Sequence, residues 1–136
     1  MQQNREIWDK KIQKIWLIWK ENCPFCKKNI DKEEKKLILK ETDFWEIRYN
    51  KYPYSWIKDH LLAFPKRHIE FTKDLNEKEL VDFKNVSTFI NNYFKEKEYF
   101  SFVRESFTGR SIAHLHYHYL PWNIHSSDFE KILNKN

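Results

Sequence analysis

Three histidines at alternate positions are the feature of the sequence with the clearest chemistry. His114, His116 and His118 lie in a segment, 112–120, that is rich in strand-forming residues. Because successive side chains of a strand point to opposite faces of its sheet, the three imidazoles share one face. Neighbouring imidazoles there are separated by about 6.6 Å of backbone rise, so an adjacent pair could bind one metal ion but all three are poorly placed to do so. At least one of these histidines therefore has another role.

The only two cysteines of the chain, Cys23 and Cys26, form a Cys-Pro-Phe-Cys motif. Stable disulfides are rare in the cytosol, where such a pair usually binds a metal or acts as a redox couple. The redox pair of a glutaredoxin needs a strand before the first cysteine and a helix that starts at it. A helical pattern precedes this pair instead, yet the pair alone is ambiguous between the metal and redox hypotheses.

Two helices and five strands are predicted around these residues. Apolar residues recur at three- and four-residue steps between Arg5 and Lys20, which indicates an N-terminal helix with one apolar face. A longer helix is predicted after a capping pattern at Asn76 and Glu79, and its apolar stripe contains Leu80, Phe83, Val86, Ile90 and Tyr93. Strands are predicted at 37–39, 44–49, 61–64, 99–103 and 112–120. This order indicates an α+β fold with a largely antiparallel five-stranded sheet and helices on one face.

Length and composition favour a single domain over residues 1–136. In this division residues 1–22 form a helical extension and residues 122–136 form a short C-terminal tail. The net charge of +5 comes from 25 basic and 20 acidic residues that are interleaved along the chain, so a nucleic-acid-binding stripe is not indicated. The first residues lack the features of a signal peptide, and no segment approaches membrane-spanning length, so we expect a cytoplasmic protein without a membrane partner.

The segment His114-Leu-His-Tyr-His-Tyr-Leu120 resembles the His-x-His-x-His-x-x signature that names the histidine triad superfamily. Upstream, the segment from His60 to His68 and the capped helix after it are similar to the strand, Pro-Lys-x-His turn and long helix of that family. The resemblance extends roughly from Cys23 to Pro121 and implies the family's fold. Members commonly join two sheets edge to edge, so the resemblance also implies a homodimer.

By this resemblance Cys23, Cys26, His68 and His114 would be the four ligands of a zinc ion, as in the branch of the family that carries an N-terminal Cys-x-x-Cys. Two thiolates and two imidazoles make a closed tetrahedral shell without an open position, so such a zinc would be structural. With the triad in the same chain, the cysteine pair favours zinc over a redox couple.

The resemblance assigns the other two histidines to catalysis. His116 would be the nucleophile that attacks the α-phosphorus of a nucleotide, and His118 would hydrogen-bond a non-bridging oxygen. The only glycine of the chain, Gly109, is followed by Arg110 and Ser111 in the place where family members cradle the α-phosphate. This phosphate cradle, 109–111, offers backbone amides and the Ser111 hydroxyl as donors, with Arg110 where many members have glutamine.

Asn50 matches a position at which family members hold the nucleotide ribose, and Arg104 lies near the expected phosphate site. Together these features predict a hydrolase or transferase that acts on nucleoside phosphoramidates, dinucleoside polyphosphates or related nucleotides. Three alternatives remain open. They are a nucleotide-sensing protein with little turnover, a metalloenzyme that uses the three histidines as direct ligands, and a glutaredoxin-like reductase.

Overall fold

The computed structural model describes residues 22–54, 57–95, 97–105 and 112–122, together with Ser127 and Glu130. The predicted helix before residue 22 lies outside the described residues, as do most of the predicted C-terminal tail and the whole phosphate cradle, Gly109, Arg110 and Ser111. Within the described ranges, none of the helices is both long and apolar enough to cross a lipid bilayer.

Five strands form one antiparallel sheet, as the sequence predicts, in the order β1-β2-β3-β5-β4. The strands are β1 (Ile38–Glu41), β2 (Trp45–Tyr49), β3 (Leu61–Pro65), β4 (Tyr99–Val103) and β5 (Tyr117–Pro121). The α-helices are a short α1 (Lys32–Lys35) before β1 and a long α2 (Glu77–Phe94) between β3 and β4. Two 3-10 helices lie at Lys27–Asn29 and Thr72–Asp74. The α+β class with one long helix is therefore confirmed.

The last strand starts later than the sequence predicts. β5 begins at Tyr117, and residues 112–114 form a bend in front of it, so His114 is not part of the sheet. The backbone N–H of Leu115 donates to the carbonyl of Ile69 at 2.7 Å. The predicted strand over 112–120 is wrong in its first half because this segment bonds to the loop that follows β3 instead of to β3 itself.

The long helix begins with the predicted capping box. Asn76 Oδ1 accepts from the backbone N–H of Glu79, and Glu79 Oε1 accepts from the backbone N–H of Asn76, each at 2.9 Å. A cap of this kind stabilises a helix by about 0.5–2 kcal/mol. Arg67 donates two hydrogen bonds to the carboxylate of Glu79, which allows this glutamate to be buried. Leu80, predicted for the apolar stripe, is instead 53% exposed.

The two faces of the sheet have different partners. Odd-numbered residues of β2 and β3 pack against the buried side of α2, including Val86, and form the main core. Even-numbered residues of the same strands point to the opposite face, where Leu62 and Phe64 pack with Cys23 and Phe25. The cysteine pair therefore lies on the face of the sheet that the long helix leaves uncovered.

Asp82 connects α2 to the turn between β1 and β2. Its Oδ2 accepts from the backbone N–H of Phe44 and from the hydroxyl of Thr42, each at 2.7 Å. Its Oδ1 accepts from Asn85 Nδ2 at 2.9 Å. Burial raises the pKa of this carboxyl, but the three hydrogen bonds outweigh burial and hold the pKa below its usual value.

We expect Asp82→Asn to lower the free energy of unfolding by about 1–3 kcal/mol near neutral pH, because an amide replaces an oxygen that accepts from two donors. The pKa of Asp82 is lowered in the folded protein, so its stabilising effect is present above the usual carboxyl pKa and is lost as pH falls through the folded value. Denaturant unfolding across this pH range measures the effect, with the exposed Asp43→Asn change as control. Equal losses for the two variants would contradict the assignment.

Candidate active site and metal centre

Cys23, Cys26, His68 and His114 form one cluster in the structure. Each offers one ligand atom, and these four atoms lie within 4.8 Å of one another. His114 Nδ1 lies 3.4 Å from Cys23 Sγ and 3.8 Å from Cys26 Sγ. His68 Nδ1 lies 3.3 Å from Cys26 Sγ. In the part of the chain that the structure describes, no other group of three or more such side chains could hold a metal ion.

A tight turn positions the two sulfur atoms. The backbone N–H of Cys26 donates to the carbonyl of Cys23 at 3.2 Å, and Asn29 Nδ2 donates to the same carbonyl at 2.9 Å. The two histidines reach the cluster from loops next to the sheet. His68 follows the end of β3, and His114 lies in the bend that precedes β5.

The cluster fits the dimensions of a tetrahedral zinc site. With bonds of about 2.3 Å to sulfur and 2.0–2.1 Å to nitrogen, tetrahedral geometry separates the two kinds of ligand atom by about 3.6 Å. The observed separations of 3.4, 3.3 and 3.8 Å agree with this value. His114 Nε2 donates to the carbonyl of Pro65 at 2.6 Å, which fixes the tautomer with the lone pair on Nδ1.

Burial shifts the pKa values of two members of this cluster in opposite directions. It lowers the pKa of His114 to about 3, so this imidazole is neutral at neutral pH. Burial also raises the pKa of the Cys23 thiol to about 12. A thiol of that kind ionises only beside a cation, which is the setting that a metal site provides.

His116 has a defined orientation at the edge of a cleft. Its Nδ1 donates to the backbone carbonyl of His114 at 2.7 Å, so the lone pair of the neutral ring is on Nε2. The side chain is 7% exposed, and the edge of the Phe25 ring packs on it with centroids 5.2 Å apart. Nε2 is therefore the atom of His116 that can act as a nucleophile.

A chain of hydrogen bonds through His60 sets the tautomer of His118. The backbone N–H of Tyr54 donates to His60 Nδ1 at 3.3 Å, which puts the proton of the neutral His60 ring on Nε2. This Nε2 donates to His118 Nδ1 at 2.9 Å, so the proton of neutral His118 is on Nε2. Burial lowers the pKa of His60 to about 3, which keeps its ring neutral. His118 thus offers an N–H donor at Nε2.

His60 bonds to one of the predicted catalytic histidines, although the sequence analysis gave it no role at the site. It stands two residues before Leu62, so the two side chains lie on the same face of β3, and Leu62 pairs with His118 across the sheet. The alternation of side chains along this strand is the sequence signal that could have identified His60, because it places His60 on the face that carries the other imidazoles. Its role depends on the pairing register of β3 with β5.

Aromatic rings hold the imidazole of His118 in place. Phe102 of β4 stacks on His118 with ring centroids 4.4 Å apart and an angle of 3° between the planes. Tyr54 lies nearly parallel to His118, with centroids 6.0 Å apart. These contacts restrict the ring to one orientation while leaving the hydrogen bond from His60 intact.

The cleft that His116 and His118 line also contains Asn50 and Arg104. Asn50 Oδ1 accepts from the backbone N–H of Tyr52 at 2.9 Å, which fixes the side chain at the cleft wall. The structure thus brings the predicted ribose residue to the predicted catalytic pair. The phosphate cradle lies outside the described residues, so its contacts stay predictions.

The geometry divides the three alternating histidines into two groups. His114 belongs to the cysteine cluster, whereas the Nδ1 atoms of His116 and His118 bond to protein groups elsewhere. This division does not support a single metal bound by all three. Cys23 and Cys26 are free thiols followed by a short 3-10 helix, and the described residues around them do not form a redox βαβ unit.

Solved structures of other proteins share this fold. A HIT family hydrolase from Clostridium thermocellum is 27% identical, with a TM-score of 0.57 over 74% of this chain and 90% of that chain. Plasmodium falciparum diadenosine triphosphate hydrolase, solved with cyclomarin A, is 22% identical, with a TM-score of 0.56 over 78% of this chain and 76% of that chain. A zinc-bound histidine triad family protein from Mycobacterium smegmatis is 16% identical, with a TM-score of 0.52 over 62% of this chain and 64% of that chain.

The model of a known family also matches the sequence itself. The family is described as Scavenger mRNA decapping enzyme C-term binding, and its model matches residues 22–133. No curated protein sequence matches the chain. The matched range begins just before the cysteine pair and includes all five strands and the three alternating histidines. The chain therefore belongs to the Scavenger mRNA decapping enzyme C-term binding family within the histidine triad superfamily.

Proposed function

We propose that the protein is a nucleotide hydrolase or nucleotidyltransferase that acts at an α-phosphate through a covalent intermediate on His116. The orientation of this residue carries the proposal, because its Nδ1 donates to the His114 carbonyl at 2.7 Å and Nε2 keeps the lone pair. A neutral imidazole in that tautomer is a competent nucleophile. As Nε2 bonds to phosphorus the ring becomes cationic, and the carbonyl stabilises that charge through the Nδ1 proton.

The reaction would consist of two displacements. In the first, His116 Nε2 attacks the α-phosphorus, and the leaving group departs with the electron pair of its bond to phosphorus and takes up a proton. In the second, water or another acceptor attacks phosphorus and loses a proton, while the electron pair of the phosphorus–nitrogen bond returns to the ring. Dividing one difficult displacement into two lowers each barrier.

Stabilisation of the phosphoryl charge would come from His118 and the phosphate cradle. The hydrogen bond from His60 supports this role for His118, because it leaves the N–H of Nε2 as the donor for a non-bridging oxygen. We also assign the Ser111 hydroxyl and the amides of the cradle to the α-phosphate, and Asn50 to the ribose. The position of Asn50 in the same cleft supports the last assignment.

Names of the relatives support nucleotides with linked phosphates as substrates. One similar structure is a diadenosine triphosphate hydrolase, and another is a HIT family hydrolase. The matching family takes its name from a scavenger mRNA decapping enzyme. We therefore propose dinucleoside polyphosphates as the first compounds to test, together with the nucleoside phosphoramidates that the family resemblance implies. The acceptor in the second displacement decides between hydrolysis and transfer.

We propose that the cluster of Cys23, Cys26, His68 and His114 binds a structural zinc ion. Four protein ligands fill a tetrahedral shell, so the metal would connect the N-terminal turn to the loops beside β3 and β5 and take no part in the chemistry.

A pair of thiolates suits a reducing compartment, which supports a cytoplasmic location. The sheet has edge strands at β1 and β4, and an edge of this kind supports the homodimer that the family resemblance implies.

The proposed function is tested with nucleoside phosphoramidates, dinucleoside polyphosphates and nucleotide sugars, each incubated with wild-type protein. We expect turnover of at least one of these classes and, after rapid alkaline quenching, a nucleotidyl mass increase on the peptide that contains His116. Binding of mononucleotides without any turnover would favour the nucleotide-sensing alternative. Turnover with a nucleotidyl group on a different residue would contradict the role of His116.

A further inference from the structure

Two buried polar atoms at the wall of the cleft have no hydrogen-bond partner among the described residues. Within the described ranges, Arg48 Nη2 and Glu34 Oε2 make no hydrogen bond although both atoms are buried. Arg48 is 3% exposed, and both residues line the cleft that contains His116. A buried donor or acceptor without a hydrogen bond is costly, so this pair beside a cleft points to a ligand that supplies both hydrogen bonds.

Contacts with the protein fix the rest of the Arg48 side chain. Its Nε donates to the carboxylate of Glu46, its Nη1 donates to the carbonyl of Pro24 at 3.0 Å, and its Cζ lies 4.8 Å from the centroid of the Phe64 ring. Nη2 is the guanidinium nitrogen that these contacts do not use. Glu34 Oε2 lies 3.8 Å from Arg48 Nη1, so a fixed donor and an acceptor lie side by side.

Arg48 and Glu34 lie about as far from the proposed catalytic histidines as the base of a mononucleotide lies from its α-phosphate. Arg48 pairs with Leu62, and Leu62 pairs with His118, so the three residues form one row across the sheet. Two strand spacings separate Arg48 from His118, which is about 10 Å. A mononucleotide with its α-phosphate at the histidines extends its base over such a distance. The Phe25 ring, 5.6 Å from Arg48 Cζ and 5.2 Å from the His116 ring, offers an apolar surface along the way.

We propose that Arg48 and Glu34 recognise guanine, so that the site prefers guanine nucleotides. The inference rests on the proposed function for the position of the phosphate and adds the identity of the base. Guanine places the O6 acceptor next to the N1–H donor, and arginine bonded to O6 is a frequent guanine contact in nucleic-acid complexes. Arg48 Nη2 donates to O6, and Glu34 Oε2 accepts from N1–H. Adenine in the same orientation places an amino group against Arg48 and a lone pair against the carboxylate.

The test measures equilibrium binding of GMP, IMP and AMP to the protein by calorimetry. A well-placed pair of base contacts gives roughly tenfold or more discrimination, so we expect GMP to bind at least about tenfold more tightly than AMP. IMP has the O6 and N1–H of guanine but lacks the 2-amino group, and it should bind within about threefold of GMP. IMP that binds as weakly as AMP would overturn the assigned contacts.

Glu34→Ala should remove most of the preference for GMP, because it deletes both the acceptor for guanine N1–H and the carboxylate that faces the adenine lone pair. Glu33→Ala is the matched control, because Glu33 lies on the same short helix with a side chain that is 73% exposed. Arg48→Lys keeps a positive charge beside Glu46 but loses Nη2, so it should also reduce the ratio of the GMP and AMP affinities. Circular dichroism and thermal unfolding establish that each variant is folded.

The outcomes separate this inference from the proposed function. Equal affinity of wild-type protein for GMP and AMP would overturn guanine recognition and leave the catalytic proposal standing. A preference for GMP that survives in folded Glu34→Ala and Arg48→Lys would overturn the assignment to these residues. Protein that binds none of the three nucleotides would overturn both proposals.

Discussion

Replacing His116 with asparagine is expected to lower turnover about a thousandfold or more, which corresponds to roughly 4 kcal/mol of transition-state stabilisation. Asparagine is close in size and keeps a donor for the His114 carbonyl, which His116 Nδ1 reaches at 2.7 Å, but it lacks the nucleophilic nitrogen. Nucleotide affinity and metal content should be largely kept, because His116 is outside the cysteine cluster. Measuring kcat on the best substrate and Kd for a mononucleotide separates chemistry from binding.

Tyr117→Phe is the matched control for this experiment. Tyr117 follows His116 in the chain, but it packs with the main core on the other face of the sheet, where its hydroxyl lies 2.6 Å from Thr72 Oγ1. Loss of this hydroxyl in Tyr117→Phe should leave turnover near the wild-type value. Full activity in His116→Asn would end the proposed mechanism, and equal losses in the two variants would indicate a structural cause.

Local sequence signals were sufficient to predict the main elements of the fold. The long helix was predicted from Asn76 and Glu79, whose reciprocal hydrogen bonds form within four residues and need no distant partner. Short runs of strand-forming residues located β1 to β4 and the second half of the last predicted strand in the same way. The prediction for Leu80 is wrong because a buried position on that side of the helix is taken by Glu79, which Arg67 neutralises.

Features that depend on strand register could not be read from the sequence. His60 and His118 are 58 residues apart, and their hydrogen bond exists only because Leu62 pairs with His118. Arg48 lies in an ordinary strand pattern, and nothing near it in the sequence shows that its guanidinium is buried beside Glu34. The late start of β5 likewise depends on a hydrogen bond to a distant loop. In each case the partner is far away in the chain, so local patterns do not report it.

Removing a ligand of the cysteine cluster is expected to have the second large effect. Cys23→Ser should abolish binding of about one zinc ion per chain and lower Tm by about 10 °C or more. A structural zinc contributes on the order of 10 kcal/mol to the folding of small zinc domains, and each kcal/mol shifts the Tm of a domain of this size by about 4 °C. Metal analysis of purified protein and thermal unfolding measure the two effects.

His116→Asn serves as the control for metal content, since it changes a histidine close to the cluster that contributes no ligand. A chelator distinguishes loss of the metal from loss of packing around the buried sulfur. It should lower the Tm of wild-type protein and of His116→Asn, but it should leave the Tm of Cys23→Ser unchanged, because that variant has no metal to lose. His114→Asn should behave like Cys23→Ser, although it stands only two residues from the proposed nucleophile. Wild-type protein that contains no metal and is insensitive to the chelator would contradict the zinc site, and a reversible disulfide between Cys23 and Cys26 would then favour the redox alternative.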